Sequence, residues 1–189
     1  WEKMGKPKVF NFVELGPGDG SLTKVIINTL KKFPECNKAI KIYLYEKSLF
    51  LKKLQKQNID SKRIKWIKNF NSIKKGPVIF FGNEFFDAIP IKQFSNINNE
   101  LFEKCYSVND NVDIIEKFIR SNKKDVAQIM TFGTLKKLKF IEFPKKGLLE
   151  LNPIIKKINK LSGGILLIDY GYLNSCLLYT SDAADESDR

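Results

Sequence analysis

Histidine is absent from the 189-residue sequence, and cysteine occurs only three times. Without histidine there is no Ser-His-Asp triad, no imidazole general base and no imidazole metal ligand. Cys36, Cys105 and Cys176 are far apart and form no CxxC pair, which argues against a zinc site or a disulfide framework and is typical of a reducing cytosol. We therefore predict no metal site.

Long apolar runs are also missing. None reaches the roughly 18 residues that a membrane helix requires, although 43% of the residues are hydrophobic, enough for the core of one domain. No signal peptide is visible, and because the chain begins at Trp1 instead of Met, we expect its natural start to lie upstream.

Acidic residues are outnumbered, with 21 Asp and Glu against 33 Lys and Arg and a net charge of +12. A basic surface for nucleic acid is one interpretation. The lysines are spread along the chain, however, and no platform of aromatic and arginine residues accompanies them. We favour a compositional bias toward Lys, Ile and Asn, and predict that nucleic acid is not a partner.

The last fourteen residues, 176–189, contain no lysine although the rest of the chain is rich in it. Their first part, CLLYTSDAADE, resembles the translation of a transposon-end adapter used in sequencing libraries. We therefore predict that 176–189 is not native and that the native domain occupies 1–175.

Apolar runs alternate with amphipathic segments along 1–175. Strands alternating with helices indicate an α/β fold with a mostly parallel sheet and right-handed crossovers. The weaker, polar segment 94–147 is predicted to be an insertion with strands and one helix near 113–120. The predicted strands are 9–15, 40–45, 63–67, 78–81 and 165–168, and the other predicted helices are 21–33, 49–54, 85–91 and 152–161.

A glycine-rich turn joins the first predicted strand to the first predicted helix, in the order Glu14-Leu-Gly16-Pro17-Gly18-Asp-Gly20. Glycines let the backbone approach a ligand closely, and a helix start presents free N–H groups. The third glycine comes one residue earlier than in the dinucleotide pattern GxGxxG, which favours a ligand with a carboxylate and an amine over a pyrophosphate. Glu14 could order this loop or engage the ligand amine.

Acidic and amide side chains follow two further strands. Glu46 ends the second predicted strand, where it could accept both hydroxyls of a ribose or be an ordinary exposed residue. Asn83, Glu84 and Asp87 follow the fourth strand, and carboxyl ends of parallel strands line the ligand crevice of such sheets. Glu84 has a second interpretation, as the cap of the helix predicted after it.

The segments ELGPGDGSL, YLYEKS, GNEFFDAIPI and GGILLIDYGY resemble the methyltransferase family that includes the mitochondrial complex I assembly factor, a protein arginine methyltransferase, and its bacterial relatives. This resemblance implies a Rossmann-like class I methyltransferase fold, with helices on both faces of the sheet, that is incomplete at both ends here. It implies S-adenosyl-L-methionine as the methyl donor. The family usually has arginine where this chain has Asp19.

For the mitochondrial relatives the resemblance implies arginine methylation of a respiratory-complex subunit, so the protein would be mitochondrial in a eukaryote and cytoplasmic in a bacterium. Glu84, and Asp87 second, are our candidates to orient a guanidinium by bidentate pairing. The alternatives are methylation of RNA or a small molecule, a nicotinamide oxidoreductase, and an assembly factor that keeps the cofactor fold without turnover. The cofactor-binding residues are predicted to be Glu14, Gly16, Pro17, Gly18, Gly20, Glu46 and Asn83.

Overall fold

A computed structural model describes residues 1–59 and 62–170, apart from the side chain of residue 136. Two short 3-10 helices, Glu2–Met4 and Leu135–Lys137, accompany the main elements. The strands are β1 Phe10–Leu15, β2 Ile40–Tyr45, β3 Ile64–Ile67, β4 Val78–Asn83, β5 Lys92–Ile97, β6 Glu100–Val108, β7 Ile114–Arg120, β8 Phe140–Phe143 and β9 Gly163–Ile168. The helices are α1 Ser21–Leu30, α2 Pro34–Ala39, α3 Leu49–Asn58, α4 Lys123–Met130 and α5 Lys145–Leu161.

The first sheet is five-stranded, in the order β3-β2-β1-β4-β9, and every neighbouring pair in it is parallel. Its apolar side chains alternate between two packed layers. Val13 and Leu15 face α5, whereas Phe10 and Ile42 face α1 and α2. Helices therefore cover both faces, and the predicted Rossmann-like α/β fold is confirmed.

All five predicted strands of this sheet are present, and β2 has the predicted bounds. Parallel strands are buried on both faces, so they occur in the sequence as continuous apolar runs that are easy to recognise. Their common direction brings the carboxyl ends of β1, β2 and β4 to one edge of the sheet.

A second sheet, antiparallel and in the order β7-β6-β5-β8, occupies most of segment 94–147. Its inner face packs Phe94, Ile141 and Phe143 against Ile129 of α4. The helix predicted near 113–120 is wrong, because that segment is β7 and pairs with β6 along its length.

Two other helix predictions are corrected by the structure. Residues 85–88 form a turn rather than the start of a helix. Helix α5 begins at Lys145 instead of 152, and Pro153 lies inside it. Pro153 cannot donate a backbone hydrogen bond, yet α5 continues because Ile154, Ile158 and Leu161 pack on the first sheet.

Asp125 joins the second sheet to α5. Its side chain is fully buried, and its carboxylate accepts hydrogen bonds from Lys92 Nζ at 2.8 Å, from Asn122 Nδ2 at 2.8 Å and from Lys145 Nζ. Lys92 also pairs with Glu103 at 2.8 Å. Burial alone raises the pKa of Asp125, but these hydrogen bonds outweigh it and hold that pKa well below its usual range.

No helix of the described residues is long and apolar enough to cross a membrane.

Candidate functional site

The glycine loop between β1 and α1 needs glycine for two different reasons. All three glycines have positive φ, 60° at Gly16, 56° at Gly18 and 86° at Gly20, which disfavours other residues. A Cβ on Gly20 would lie 2.6 Å from Ile59 Cδ1, whereas one on Gly18 would meet nothing within 4 Å. Gly20 therefore serves packing against the end of α3, and Gly18 borders open space.

The start of α1 is already partly occupied by the chain itself. Asp19 Oδ1 accepts from the Ser21 backbone N–H at 2.9 Å, and Asp19 Oδ2 accepts from Ser21 Oγ at 2.6 Å. The side-chain and then the backbone hydrogen bond from Ser21 lower the pKa of Asp19. The free N–H groups that we expected here are thus reduced in number, because Asp19 takes one of them.

A cavity of about 390 Å³ opens at the carboxyl ends of β1, β2 and β4. It brings together four of the predicted site residues, Gly16, Gly18, Glu46 and Glu84. Its apolar wall is formed by Leu51, Phe85, Ala88 and Ile89, and Tyr45, Lys47 and Ser48 complete the lining.

The other five predicted site residues do not line this cavity. Asn83 and Asp87 have exposed side chains on the strand end and the turn beside it. Pro17 and Gly20 belong to the loop but lie outside the lining. Glu14 is 3% exposed and accepts a hydrogen bond from Thr23 Oγ1 of α1, a contact that joins the strand before the loop to the helix after it.

Glu46 lies where β2 gives way to α3, and it is 8% exposed. Its Oε1 accepts from the Ser48 backbone N–H at 2.8 Å, and its Oε2 accepts from Gln55 Nε2 at 3.3 Å. An ionised carboxylate has about four acceptor positions. Glu46 is therefore held in place by the chain and retains capacity for about two further donors from the cavity.

Gln55 is a site residue that the sequence reasoning missed. It is fully buried in α3 and donates to the Gly18 carbonyl at 2.7 Å as well as to Glu46. The available signal is its spacing of four from Leu51 and from Ile59, which places a polar residue on the buried stripe of that helix.

Glu84 lies at the rim of the cavity in a left-handed conformation with φ 51°. Its backbone N–H donates to the Ile168 carbonyl at 2.8 Å, while its side chain is exposed. Because a turn follows instead of a helix, the interpretation of Glu84 as a helix cap is wrong. Non-glycine residues in this conformation concentrate at functional sites.

Two aromatic side chains, Phe85 and Tyr45, line the same cavity as Glu84. Phe85 lies against the loop, since a Cβ on Gly16 would be 3.0 Å from Phe85 Cδ2, and it contacts Tyr45 edge-on with the ring centroids 6.2 Å apart. The Tyr45 hydroxyl donates to Glu150 Oε2 of α5 at 2.7 Å. Burial, followed by this hydrogen bond, raises the pKa of Tyr45, so the phenol stays neutral at physiological pH.

A parallel sheet with a glycine turn after β1, a carboxylate after β2 and a crevice at the strand ends defines the class of Rossmann-like nucleoside-binding folds. The chain belongs to the family described as "Putative S-adenosyl-L-methionine-dependent methyltransferase", whose profile matches residues 1–182. This establishes the family that the sequence motifs resembled.

Among curated relatives, the protein arginine methyltransferase NDUFAF7, mitochondrial, of Xenopus laevis is 24% identical over 92% of this chain and 45% of its own length. The homologue of Caenorhabditis elegans is 28% identical over 86% of this chain and 43% of its own length. The chain thus spans less than half the length of these relatives.

Two crystal structures from Burkholderia thailandensis share the fold. One is bound to S-adenosyl-homocysteine and superimposes with a TM-score of 0.67 at 15% identity, covering 90% of this chain and 44% of that one. The other, a native structure, gives a TM-score of 0.70 at 16% identity and covers 90% of this chain and 46% of that one.

Residues 176–189, predicted to be non-native, lie outside the described residues, so that prediction stands untested.

Proposed function

We propose that this chain carries the S-adenosyl-L-methionine site of a methyltransferase that acts on arginine in a protein. The observation that carries the proposal is the convergence of Gly16, Gly18, Glu46 and Glu84 on one cavity at the strand ends. Family membership supports the donor, and the curated relatives, which are named as protein arginine methyltransferases, support arginine as the acceptor.

The lining fits such a donor. A volume of about 390 Å³ is within the usual range for small-molecule sites, about 300–1,000 Å³. Gly18 has no Cβ to fill the open space beside it, and Glu46 retains acceptor capacity for the two ribose hydroxyls. Leu51, Ala88 and Ile89 offer apolar surface for a nucleobase.

Methyl transfer from a sulfonium depends mainly on alignment with the nucleophile, because the bound donor supplies an already activated methyl group. The exposed carboxylate of Glu84 at the cavity rim would hold a guanidinium by charge-assisted, bidentate pairing. The hydrogen bond from its backbone to Ile168 fixes the position from which that side chain projects. Asp87, on the following turn, is the second candidate for this role.

Calorimetry with S-adenosyl-homocysteine and with NADH tests the cofactor. We expect saturable binding of the first and no binding of the second, because the glycine spacing disfavours a pyrophosphate. Binding of NADH alone would support an oxidoreductase instead and would overturn the proposal.

Glu84→Gln in the full-length protein tests the catalytic role, since it keeps the size of the side chain and removes its charge. We expect nearly normal affinity for S-adenosyl-homocysteine and a loss of methyl transfer of about 100-fold or more, the scale of one preorganised electrostatic contact. Asp87→Asn is the matched comparison. If Glu84→Gln shows normal single-turnover transfer and Asp87→Asn shows a large loss, the residue that orients the guanidinium is Asp87 instead of Glu84.

The same relatives, which are named as mitochondrial proteins, support a proposal for the acceptor and the location. For a eukaryotic source we propose a mitochondrial protein with a respiratory-complex subunit as its substrate, and for a bacterial source a cytoplasmic one. Mass spectrometry of arginine methylation in cells with and without the gene tests the substrate class. Methylated RNA with unmodified protein would contradict it.

A further inference from the structure

Gln55 is a buried polar residue with three hydrogen-bond partners around the proposed cofactor cavity. Its Nε2 donates to the Gly18 carbonyl at 2.7 Å and to Glu46 Oε2 at 3.3 Å, and its Oε1 accepts from Trp66 Nε1 at 2.9 Å. The side chain is 0% exposed. Gln55 therefore touches both the glycine loop and the carboxylate assigned to the ribose.

The orientation of the Gln55 amide is dictated by chemistry. An indole nitrogen can only donate a hydrogen bond, so the atom of Gln55 that faces Trp66 must be the oxygen. Both N–H groups of the amide then point toward acceptors, the Gly18 carbonyl and the Glu46 carboxylate. Trp66, on β3, thus sets the direction in which Gln55 donates.

The end of α3 supports the same loop at neighbouring positions. Asn58 Nδ2 donates to the Asp19 carbonyl at 3.0 Å, and Ile59 fills the space beside Gly20. These contacts hold the side of the loop that leads into α1. Gln55 differs from Asn58 and Ile59 because it also donates a hydrogen bond to Glu46, which lines the cavity.

We propose that Gln55 is a positioning residue for cofactor binding, which couples the Gly18 turn to the Glu46 carboxylate and keeps both in the arrangement that the cofactor requires. The proposal rests on the proposed function of the cavity. Because Gln55 contributes no atom to the cavity lining, its effect on affinity passes through Gly18 and Glu46.

The test compares Gln55→Met with Gln57→Met, a matched control two residues along the same helix whose side chain is exposed. The probe is S-adenosyl-homocysteine in calorimetry, at a temperature well below the melting point of each variant. We expect Gln55→Met to lose about tenfold in affinity, the effect of removing a bond to a charged group together with a buried neutral one, and Gln57→Met to change it less than twofold.

A spectroscopic measurement follows the contact itself. The chain has two tryptophans, so two indole N–H resonances are expected in a nitrogen-correlated spectrum. The Trp66 resonance should shift in Gln55→Met while that of Trp1, which donates to the Pro7 carbonyl, stays in place. Should Gln55→Met not fold, Gln55→Asn keeps the amide but shortens the side chain by one methylene, so that it cannot hold all three contacts, and a loss of affinity in the same direction is expected.

A double-mutant cycle with Glu46→Ala separates positioning from general stability. If Gln55 acts partly through Glu46, the combined loss of affinity is smaller than the product of the two single losses. If the Gln55 variants bind S-adenosyl-homocysteine as well as the wild type does, the role of Gln55 is overturned and the proposed function stays intact. The same holds if the loss of affinity in the double mutant equals the product of the two single losses. Absence of binding by the wild-type protein would overturn both.

Discussion

The buried carboxylates near the two sheets differ in how many of their hydrogen-bond acceptor positions are occupied by the chain itself. Next to the second sheet, the buried Asp125 of α4 accepts from Lys92, Lys145 and Asn122, so about three of its four acceptor positions are occupied from within the chain. At the edge of the first sheet, Glu46 has one partner on each oxygen and lies on an open cavity. A fully buried carboxylate whose partners are charged side chains of the same chain indicates a structural role. A carboxylate with about two free acceptor positions beside a cavity indicates a ligand site.

Gly18→Val is expected to cause the largest loss of ligand affinity at the edge of the first sheet. A β-branched residue at φ 56° is strained, and its side chain would enter the open space beside the loop. We expect affinity for S-adenosyl-homocysteine to fall by about 100-fold or more. Gly133→Val, in the turn after α4, has room for a side chain and is the control. Unchanged calorimetric affinity in Gly18→Val would remove this loop from the ligand site.

Asp125→Asn should affect stability without affecting the ligand. It leaves Lys145 without its counter-charge and Lys92 with Glu103 alone. We expect the free energy of unfolding to fall by about 2–3 kcal/mol, less than for fully buried partners because both lysines are about one-third exposed. Affinity for S-adenosyl-homocysteine should stay within about twofold. Asp113→Asn, at an exposed turn, is the control in urea unfolding.

The pH dependence of the wild-type protein gives an independent check. Since the pKa of Asp125 is lowered on folding, its contribution to stability is fully present above the unfolded pKa of about 3.9 and is lost as the pH falls below that value. The difference in unfolding free energy between the wild type and Asp125→Asn should therefore shrink in acid. A constant difference between pH 7 and pH 3 would show that the charge is not responsible.

Much of the first sheet, and little of the second, can be predicted from sequence. Strands β1, β2 and β4 are continuous apolar runs, and the polar residues after them mark the site because parallel strands end together. The apolar pairs of strand β7, 114–115 and 118–119, have helical spacing, so the sequence predicts a helix there. Its state is decided by pairing with β6, a non-local contact.

The same limit applies within the site. The Asn152-Pro153 pair is a strong local signal for a helix start, yet α5 begins earlier, where Gly147 packs near Phe86 and Glu150 bonds Tyr45. Gln55 lies 37 residues from its partner Gly18. Such partners are brought together by the tertiary fold, so the helical spacing of Gln55 can indicate its burial but not the groups that it contacts.

Glu46→Ala should have an intermediate effect on the ligand. Charge-assisted hydrogen bonds contribute roughly 1.5–3 kcal/mol each, so we expect at least about a tenfold loss of affinity with an unchanged circular dichroism spectrum. The wild type should bind an analogue without the ribose 2′-hydroxyl more weakly than it binds S-adenosyl-homocysteine. Glu46→Ala should bind the two ligands with about equal affinity. Equal discrimination by both proteins would place the ribose elsewhere.

Glu14→Gln is expected to have the smallest effect on the ligand, and it separates the two roles that the sequence left open. Glu14 lies beneath the loop and accepts from Thr23 rather than lining the cavity. If it only orders the loop, the amide can keep that contact and affinity for S-adenosyl-homocysteine should change less than about threefold. If it binds the ligand amine, removal of the charge should cost about tenfold or more.

Stability provides the second measurement for Glu14. Burial raises its pKa above the usual 4.5, and the hydrogen bond from Thr23 opposes this only in part. The folded state therefore holds the Glu14 proton more tightly than the unfolded state. The contribution of Glu14, measured as the difference in unfolding free energy between the wild type and Glu14→Gln, should decline as the pH rises from about 4.5 through the folded pKa. The difference between the wild type and Glu142→Gln, on the exposed side of β8, should show no such decline. A difference between the wild type and Glu14→Gln that rises through this range would show that the buried carboxylate is stabilised as the anion, as a group that binds the ligand amine would need to be.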